Sequence, residues 1–295
     1  AISLRLMRTR IQPLFKWTGS KQRMLDLYTP HFFPETPPTR FVDLFAGALT
    51  MTLWMSERYP SCQLVINDAN EELILLYRTL ASNTEGVIAR WQECVDGWVA
   101  RSRDERKSYY YDLRETYCHA HQDKTTEYLS GMLLFMLSVN FNGMWKSYHK
   151  CANRYSTPPG SCTQGAGFFT TDNIRAVAEV LRRAEIHCGS YADAPVRAGD
   201  YIYADPPYRQ SSVDYQCGFT EDNQTHLARF LTSHDGLYAY SNKEIGDDFY
   251  TTHFPDAHIY TLPATYTAGR GDAVSVSEVL ITNFNSITSQ PFTLY

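Results

Sequence analysis

The stretch YIYADPPYRQ, residues 201–210, holds four apolar residues followed by an acid, two prolines and a tyrosine. The first four read as a buried strand. Neither proline has an N–H to give a β-ladder, so the strand must stop at Ala204. Pro206 also restricts Asp205 to extended geometry. Asp205 is therefore expected at the carboxyl edge of a sheet, where open α/β folds bind their ligands. The prolines turn the chain away and stiffen it. The expected result is a rigid hook that presents the Asp205 carboxylate, the Pro206 carbonyl and the Tyr208 ring.

Outward from this hook, short apolar runs alternate with helical patterns, which suggests βαβ units and a mainly parallel sheet. RFVDLFAG (40–47) reads as a strand and loop, followed by a helix through ALTMTLWMSERY. CQLVINDAN (62–70) is a second strand, with EELILLYRTLASN as its helix. AEIHCGS supplies a third strand, DYIYADPPY the fourth and GLYAYSN (236–242) the fifth. HIYTLPATY and SEVLITNF look like a closing antiparallel pair. More than 100 residues separate the second and third strands, too many for one crossover helix. Residues 85–170 are therefore expected to form a helical subdomain of their own, inserted between 1–84 and 171–295.

Two further acids fall at strand ends. In DLFAG (43–47) a strand ends in Asp43, and a small-residue loop then opens a helix, which brings backbone N–H groups close to a ligand. With Gly47 as its sole glycine the loop is no dinucleotide fingerprint, and an ordinary strand–helix turn is the other reading. Asp68 ends the second strand, 25 residues beyond Asp43. A carboxylate there suits ribose hydroxyls or a cap for the following helix, and both roles can hold for different Asp or Asn residues of NDAN.

Composition narrows the class. A chain of 295 residues with 43% hydrophobic and 14% aromatic content can bury a sizeable core. The longest apolar run, LSGMLLFMLSVNF (129–141), is too short to span a bilayer and reads as a core helix. AISLRLMRTRIQ is basic but lacks a long apolar stretch and a clear cleavage site, so a cytoplasmic protein is the default expectation. The seven cysteines contain no C-x-x-C pair, which favours buried thiols over a disulfide framework or a metal site. Net charge is −5, yet residues 1–25 carry six Lys or Arg and no acid. Residues 128–171 hold Lys146, Lys150 and Arg154, again without Asp or Glu. A polyanion senses local potential within a Debye length of ~8–10 Å, so these segments can attract nucleic acid despite the total.

The hook suggests a chemistry. The exocyclic amine of a base is a poor nucleophile, because its lone pair is conjugated into the ring. Two acceptors gripping its N–H groups favour a more tetrahedral nitrogen. An aromatic face stacks on an extruded base. A sulfonium methyl group held in line would complete the reaction, with positioning supplying much of the rate.

FKWTGSK (15–21), FVDLFAGALTMTL, INDANEEL, NFNGMWK, YADPPY and YSNKEIGDDFY, in this order, resemble the DNA adenine methylase family of N6-adenine methyltransferases, in its α-group arrangement. The resemblance covers nearly the whole chain. It implies a Rossmann-like seven-stranded methyltransferase sheet with a helical target-recognition insert. It implies S-adenosylmethionine as cofactor, no metal, and double-stranded DNA as partner, bound by a monomer or by two copies on a palindromic site. Asp205, Pro206, Pro207 and Tyr208 would be catalytic. Trp17, Lys21, Asp43, Phe45, Gly47, Asp68, Tyr191 and Asp205 would bind the cofactor. Lys16, Asn142, Trp145, Lys146, Lys150 and Arg154 would meet DNA, the last five from a recognition hairpin within NGMWKSYHKCANRYSTPPG. Trp145 would wedge into the base stack or fill the core. Relatives have an arginine near Lys146 that reads guanine through two parallel hydrogen bonds. Lysine reaches the same atoms as a mobile point charge, so the implied target is GATC or a related short palindrome. Leu49 stands where the family usually has a second glycine, a departure shared by its bacteriophage-like branch. Two alternatives accompany this reading. Methylation of RNA adenine or of a glutamine side chain goes more often with an asparagine in place of Asp205. A catalytically inactive cofactor- and DNA-binding relative would have no reason to keep Lys21, Asp68, Asp205 and Tyr208.

Overall fold

The computed structural model describes residues 11–17, 21–119, 123–146, 155–210, 219–267 and 273–287. A seven-stranded sheet runs in the order β3-β2-β1-β4-β5-β7-β6. Its strands are β1 (Arg40–Asp43), β2 (Gln63–Asp68), β3 (Ala184–Cys188), β4 (Tyr201–Ala204), β5 (Leu237–Lys243), β6 (His258–Thr267) and β7 (Ala273–Thr282). β1 pairs in parallel with β2 and β4, and β4 with β5, while β7 runs antiparallel to both β5 and β6. The parallel strands β1 and β4 are buried at every position, as strands covered on both faces must be. Pro263 is tolerated because β6 is an edge strand. The fold is the α/β sheet expected from the sequence, with its closing antiparallel pair.

The chain divides into two compact units. One comprises Ala1–Ser20, Gly47–Arg58 and Asn70–Cys188; the other comprises Lys21–Ala46, Tyr59–Ala69 and Gly189–Tyr295.

The second unit holds every strand but β3, with helices α1 (Leu25–Phe32), α8 (Glu221–Thr232) and α9 (Phe249–His253). Strand alternation decides which side chains face which layer. Ile202 and Ala204 enter the core that also contains Leu227, Ala228 and Leu231 of α8 and Phe254. Tyr201 and Tyr203 face the other way, where their rings meet Phe32 of α1. The Tyr201 hydroxyl donates to the Phe32 carbonyl at 2.6 Å, which satisfies a fully buried polar group.

The first unit is mostly helical: α2 (Thr50–Arg58), α3 (Glu71–Ser82), α4 (Thr84–Val99), α5 (Arg103–His119), α6 (Thr126–Val139) and α7 (Asp172–Arg183). The apolar run singled out in the sequence forms α6, buried along nearly its whole length and packed against α3 and α4. The Thr125 hydroxyl caps it by accepting from the Tyr128 N–H. Asn70 caps α3 through the Leu73 N–H, so the capping role weighed for Asp68 belongs to its neighbour. The five cysteines among the described residues are free thiols, four of them buried.

Candidate active site

In the sheet-bearing unit, β1, β2 and β4 are mutually parallel, so Asp43, Asp68 and Asp205 follow or end strands on one edge of the sheet. Asn67 ties this edge together: its side-chain amide donates to the carbonyls of Leu44 at 3.0 Å and Gly189 at 3.1 Å. The Ala46 N–H returns to the Asn67 carbonyl at 2.9 Å. The loop carrying Phe45 and the loop leading to Tyr191 are thus fixed by one buried amide.

The hook forms as its sequence requires. β4 ends at Ala204, and the chain then leaves the sheet. Its inner side is pinned: the Gln224 amide donates to the Pro207 carbonyl at 2.7 Å, and the Arg209 N–H donates to Asn242 Oδ1 at 3.0 Å. Arg209 is itself held by Asp247 and Glu221 at 2.7 and 3.1 Å, with its guanidinium 3.8 Å from the Phe249 ring centre.

Asp205 faces a buried charged cluster. Lys21 Nζ lies 3.0 Å from Asp205 Oδ1 and 2.9 Å from Glu278 Oε1. It also donates toward the Tyr208 hydroxyl at 3.4 Å, and that hydroxyl donates to Glu278 Oε1. Tyr28 donates to the other Glu278 oxygen at 3.0 Å and shares Ser241 with Tyr203, at 2.8 and 2.9 Å. The Glu278 side chain is 0% exposed and that of Lys21 3%, whereas Asp205 keeps 19% open. One lysine thus meets two carboxylates, and only one of those carboxylates has an open face. Burial pushes the Asp205 carboxyl up to about 6, against the pull of Lys21 and with help from Glu278. Burial would raise Glu278 as well, but Lys21 together with Tyr208 and Tyr28 holds it below the usual carboxylate range.

The remaining candidates of this unit lie on the same strand ends. Asp43 is buried, Asp68 half-buried. Tyr191 is buried, its hydroxyl paired with His226 Nδ1. Its ring centre lies 5.7 Å from Phe45 and 6.1 Å from Phe219, and those two are 5.7 Å apart. Three aromatic rings beside a strand-end carboxylate suit a nucleoside: a flat base and a diol.

In the helical unit, Trp17 lies against Gly47. A Cβ on Gly47 would stand 3.0 Å from Trp17 Nε1, and φ at Gly47 is +49°. Both facts favour glycine there. Leu49 has φ +71°, which explains why a glycine suits that position, although here leucine adopts the left-handed conformation. The exposed Lys16 lies with its backbone against Gly143, where a Cβ would meet the Lys16 carbonyl at 2.7 Å. Trp145 is half-buried rather than a core residue, with its ring 6.1 Å from Trp17 and 5.0 Å from Tyr155.

Residues 139–146 and 155–160 run antiparallel. The Lys146 N–H donates to Thr157 Oγ1 at 2.9 Å, the Ser156 N–H to the Lys146 carbonyl at 2.9 Å, and the Phe141 N–H to the Pro158 carbonyl at 2.9 Å. Asn142 and Lys146 are exposed on this segment. Lys150 and Arg154 lie outside the described residues. Helix α5 supports the segment: Tyr110 bonds the Tyr155 hydroxyl at 2.8 Å, and Arg114 donates to the Ser156 carbonyl at 2.8 Å.

Three features escaped the sequence reading. Glu278 sits in an apolar strand and reads as an ordinary solvent-facing position until its partners are known. Asn67 is hidden beside the more conspicuous Asp68. Phe141, 43% exposed, looks like the tail of the apolar helix rather than a surface aromatic. Among the described residues, no group of three or more His, Cys, Asp or Glu side chains could hold a metal ion, and no helix is long and apolar enough to cross a membrane.

This geometry is accompanied by a family match. Residues 17–267 match the D12 class N6 adenine-specific DNA methyltransferases, and the chain belongs to that family. It is similar to the type II methyltransferase M1.LlaDCHI of Lactococcus lactis, with 25% identity over 95% of this chain and 98% of that one. It is 24% identical to the type II methyltransferase M.MjaIII of Methanocaldococcus jannaschii, over 76% of this chain and 81% of the relative. The retron Ec67 DNA adenine methylase of Escherichia coli is 30% identical, over 74% of this chain and 71% of its own length. The chain is accordingly an adenine-specific DNA methyltransferase, of a family that uses S-adenosylmethionine.

Proposed function

We propose that the enzyme methylates N6 of an adenine flipped out of duplex DNA, within GATC or a related short palindrome. The observation that carries this reading is Asp205: a carboxylate at the tip of β4, braced on one side by Lys21 and open on the other. In its ionised form it accepts a hydrogen bond from the adenine amine. The Pro206 carbonyl is the second acceptor of the reading, since the Pro207 carbonyl is already taken by Gln224. Holding both N–H groups weakens conjugation of the nitrogen lone pair with the ring. Tyr208, fixed at its hydroxyl by Glu278 and Lys21, offers its ring face to the extruded base.

S-adenosylmethionine supplies the electrophilic methyl group. The residues present suit it: Asp68 for the ribose hydroxyls, Phe45 and Tyr191 for the adenine, and Lys21, Asp43 and Asp205 close to the same sheet edge. Trp17 and Gly47 take their proposed cofactor role from the family likeness. Methyl transfer leaves a positive charge on N6, which is relieved by loss of its proton toward Asp205. An acceptor with its acidity near 6 is basic enough to take part while remaining ionised at neutral pH.

Lys16, Asn142, Trp145, Lys146, Lys150 and Arg154 are proposed to meet DNA, with 85–170 as the target-recognition part and 1–84 with 171–295 as the catalytic part. The protein acts in the cytoplasm, as a monomer or as two copies on a palindrome. Asp205→Ala should abolish methyl transfer while duplex binding stays within a few-fold and the melting temperature is not lowered. Retained transfer would refute the assignment.

A further inference from the structure

The buried carboxylate of β7 has no part in the chemistry just described, yet it touches both groups that brace it. We propose that Glu278 is a positioning residue for methyl transfer: it locks Tyr208 in the orientation that receives the base, and it divides the charge of Lys21 so that Asp205 stays an effective acceptor. The inference rests on the reading of Asp205 as the acceptor of the adenine amine.

The geometry is specific. Glu278 Oε1 takes both the Tyr208 hydroxyl and Lys21 Nζ, the latter at 2.9 Å, while Oε2 takes the Tyr28 hydroxyl at 3.0 Å. The Tyr208 ring is held at its backbone end by the hook and at its hydroxyl by Glu278 and Lys21. The Pro207 carbonyl fixes one end through Gln224, and Glu278 fixes the other. Loss of Glu278 removes the carboxylate acceptor of that hydroxyl and loosens the ring in the stacking plane.

A buried lysine must be paired. Paired with Asp205 alone, Lys21 would neutralise it and compete with the substrate amine for its oxygens. Glu278 lies as close to Lys21 as Asp205 does, at 2.9 against 3.0 Å. The cluster keeps one net negative charge, complementary to the cationic nitrogen that develops during transfer. The other titratable groups facing it are Tyr28 of α1, Tyr203 of β4 and Tyr240 of β5, all kept neutral by burial. Lys243 of β5 stands opposite Glu278 in the strand register.

The test is the pH dependence of single-turnover methyl transfer to an unmethylated GATC-containing duplex, for wild type, Glu278→Gln, Glu278→Asp and Asp205→Asn. Glu278→Gln keeps the shape and removes the charge. It should slow transfer at pH 8 by about 100-fold, in the range for one general acid–base or oxyanion contact. Its acid limb should also move to lower pH, because Asp205 loses a repelling neighbour and gains the whole of Lys21. Glu278→Asp keeps the charge with a shorter reach, so its limb should stay in place while its rate falls through a loosened Tyr208. This variant carries the test if the glutamine protein does not fold. A glutamine variant with wild-type rate and limb, or an aspartate variant with wild-type rate, would overturn the proposal. Activity in Asp205→Asn would instead overturn the reading on which it rests.

Discussion

At the scale of single residues, Asp205 is the group proposed to carry the chemistry, and its environment makes two predictions. Its acidity is raised to about 6, so the ionised acceptor is lost below that value. The rate of methyl transfer should therefore fall about tenfold per pH unit below 6 and level off above it, which a pH–rate profile will show. The same shift works against stability. The folded state binds the Asp205 proton more tightly than the unfolded chain, so stability is lost as pH rises from about 4 through about 6. Asp205→Asn removes this penalty. It should be inactive yet melt at or above the wild-type temperature at pH 8, with the advantage shrinking toward pH 4. Thermal melts at the two pH values check the sign. Asp205 and Tyr208 were legible because proline acts locally: two prolines after an apolar run end a strand wherever they occur. Glu278 was not, because its meaning depends on Lys21, 257 residues away in the chain.

At the scale of elements, the loop after β1 and the segment around Lys146 give contrasting cases. Leu49 is in the left-handed region, which opposes folding by about 1–2 kcal/mol for a residue with a Cβ. It is also fully buried, and removing such a side chain costs about 2–5 kcal/mol. Packing wins: Leu49→Gly, despite a relaxed backbone, should lower stability by about 1–3 kcal/mol in a denaturant titration. A rise in stability would mean that strain dominates. In the Lys146 segment, Arg114 and Tyr110 of α5 hold the strand opposite Lys146. If Lys146 reads a base, Arg114→Ala should broaden the set of methylated sequences and leave cofactor affinity within about twofold. Lys146→Ala should do the same more strongly. Sequencing of methylated sites alongside cofactor titration separates these outcomes. The sequence revealed the helix after β1 and the apolar helix α6, because hydrophobic patterning is local. It did not reveal that α5 supports the segment following α6.

Over the whole molecule, the net charge of −5 is a poor guide to a protein that acts on DNA. A polyanion senses local potential rather than net charge, and each phosphate contact contributes about one to the slope of log affinity against log salt. Lys150→Ala and Arg154→Ala should each reduce that slope by about one and weaken all sequences alike. The succession of strands along the chain and their mainly parallel sheet were legible in outline, because apolar runs alternate with helices. The burial of Lys21 between Asp205 and Glu278 was not, since sequence pattern places charged residues outside by default. The central reaction proposed for this chain is methyl transfer to adenine N6 in duplex DNA through Asp205. It is tested most directly by incubating wild type and Asp205→Asn with S-adenosylmethionine carrying a labelled methyl group and unmethylated genomic DNA, then sequencing the modified bases. Label on N6 of adenines in one short palindrome with wild type, and none with Asp205→Asn, is the expected result. Label on another atom, or equal labelling by the two proteins, would contradict it.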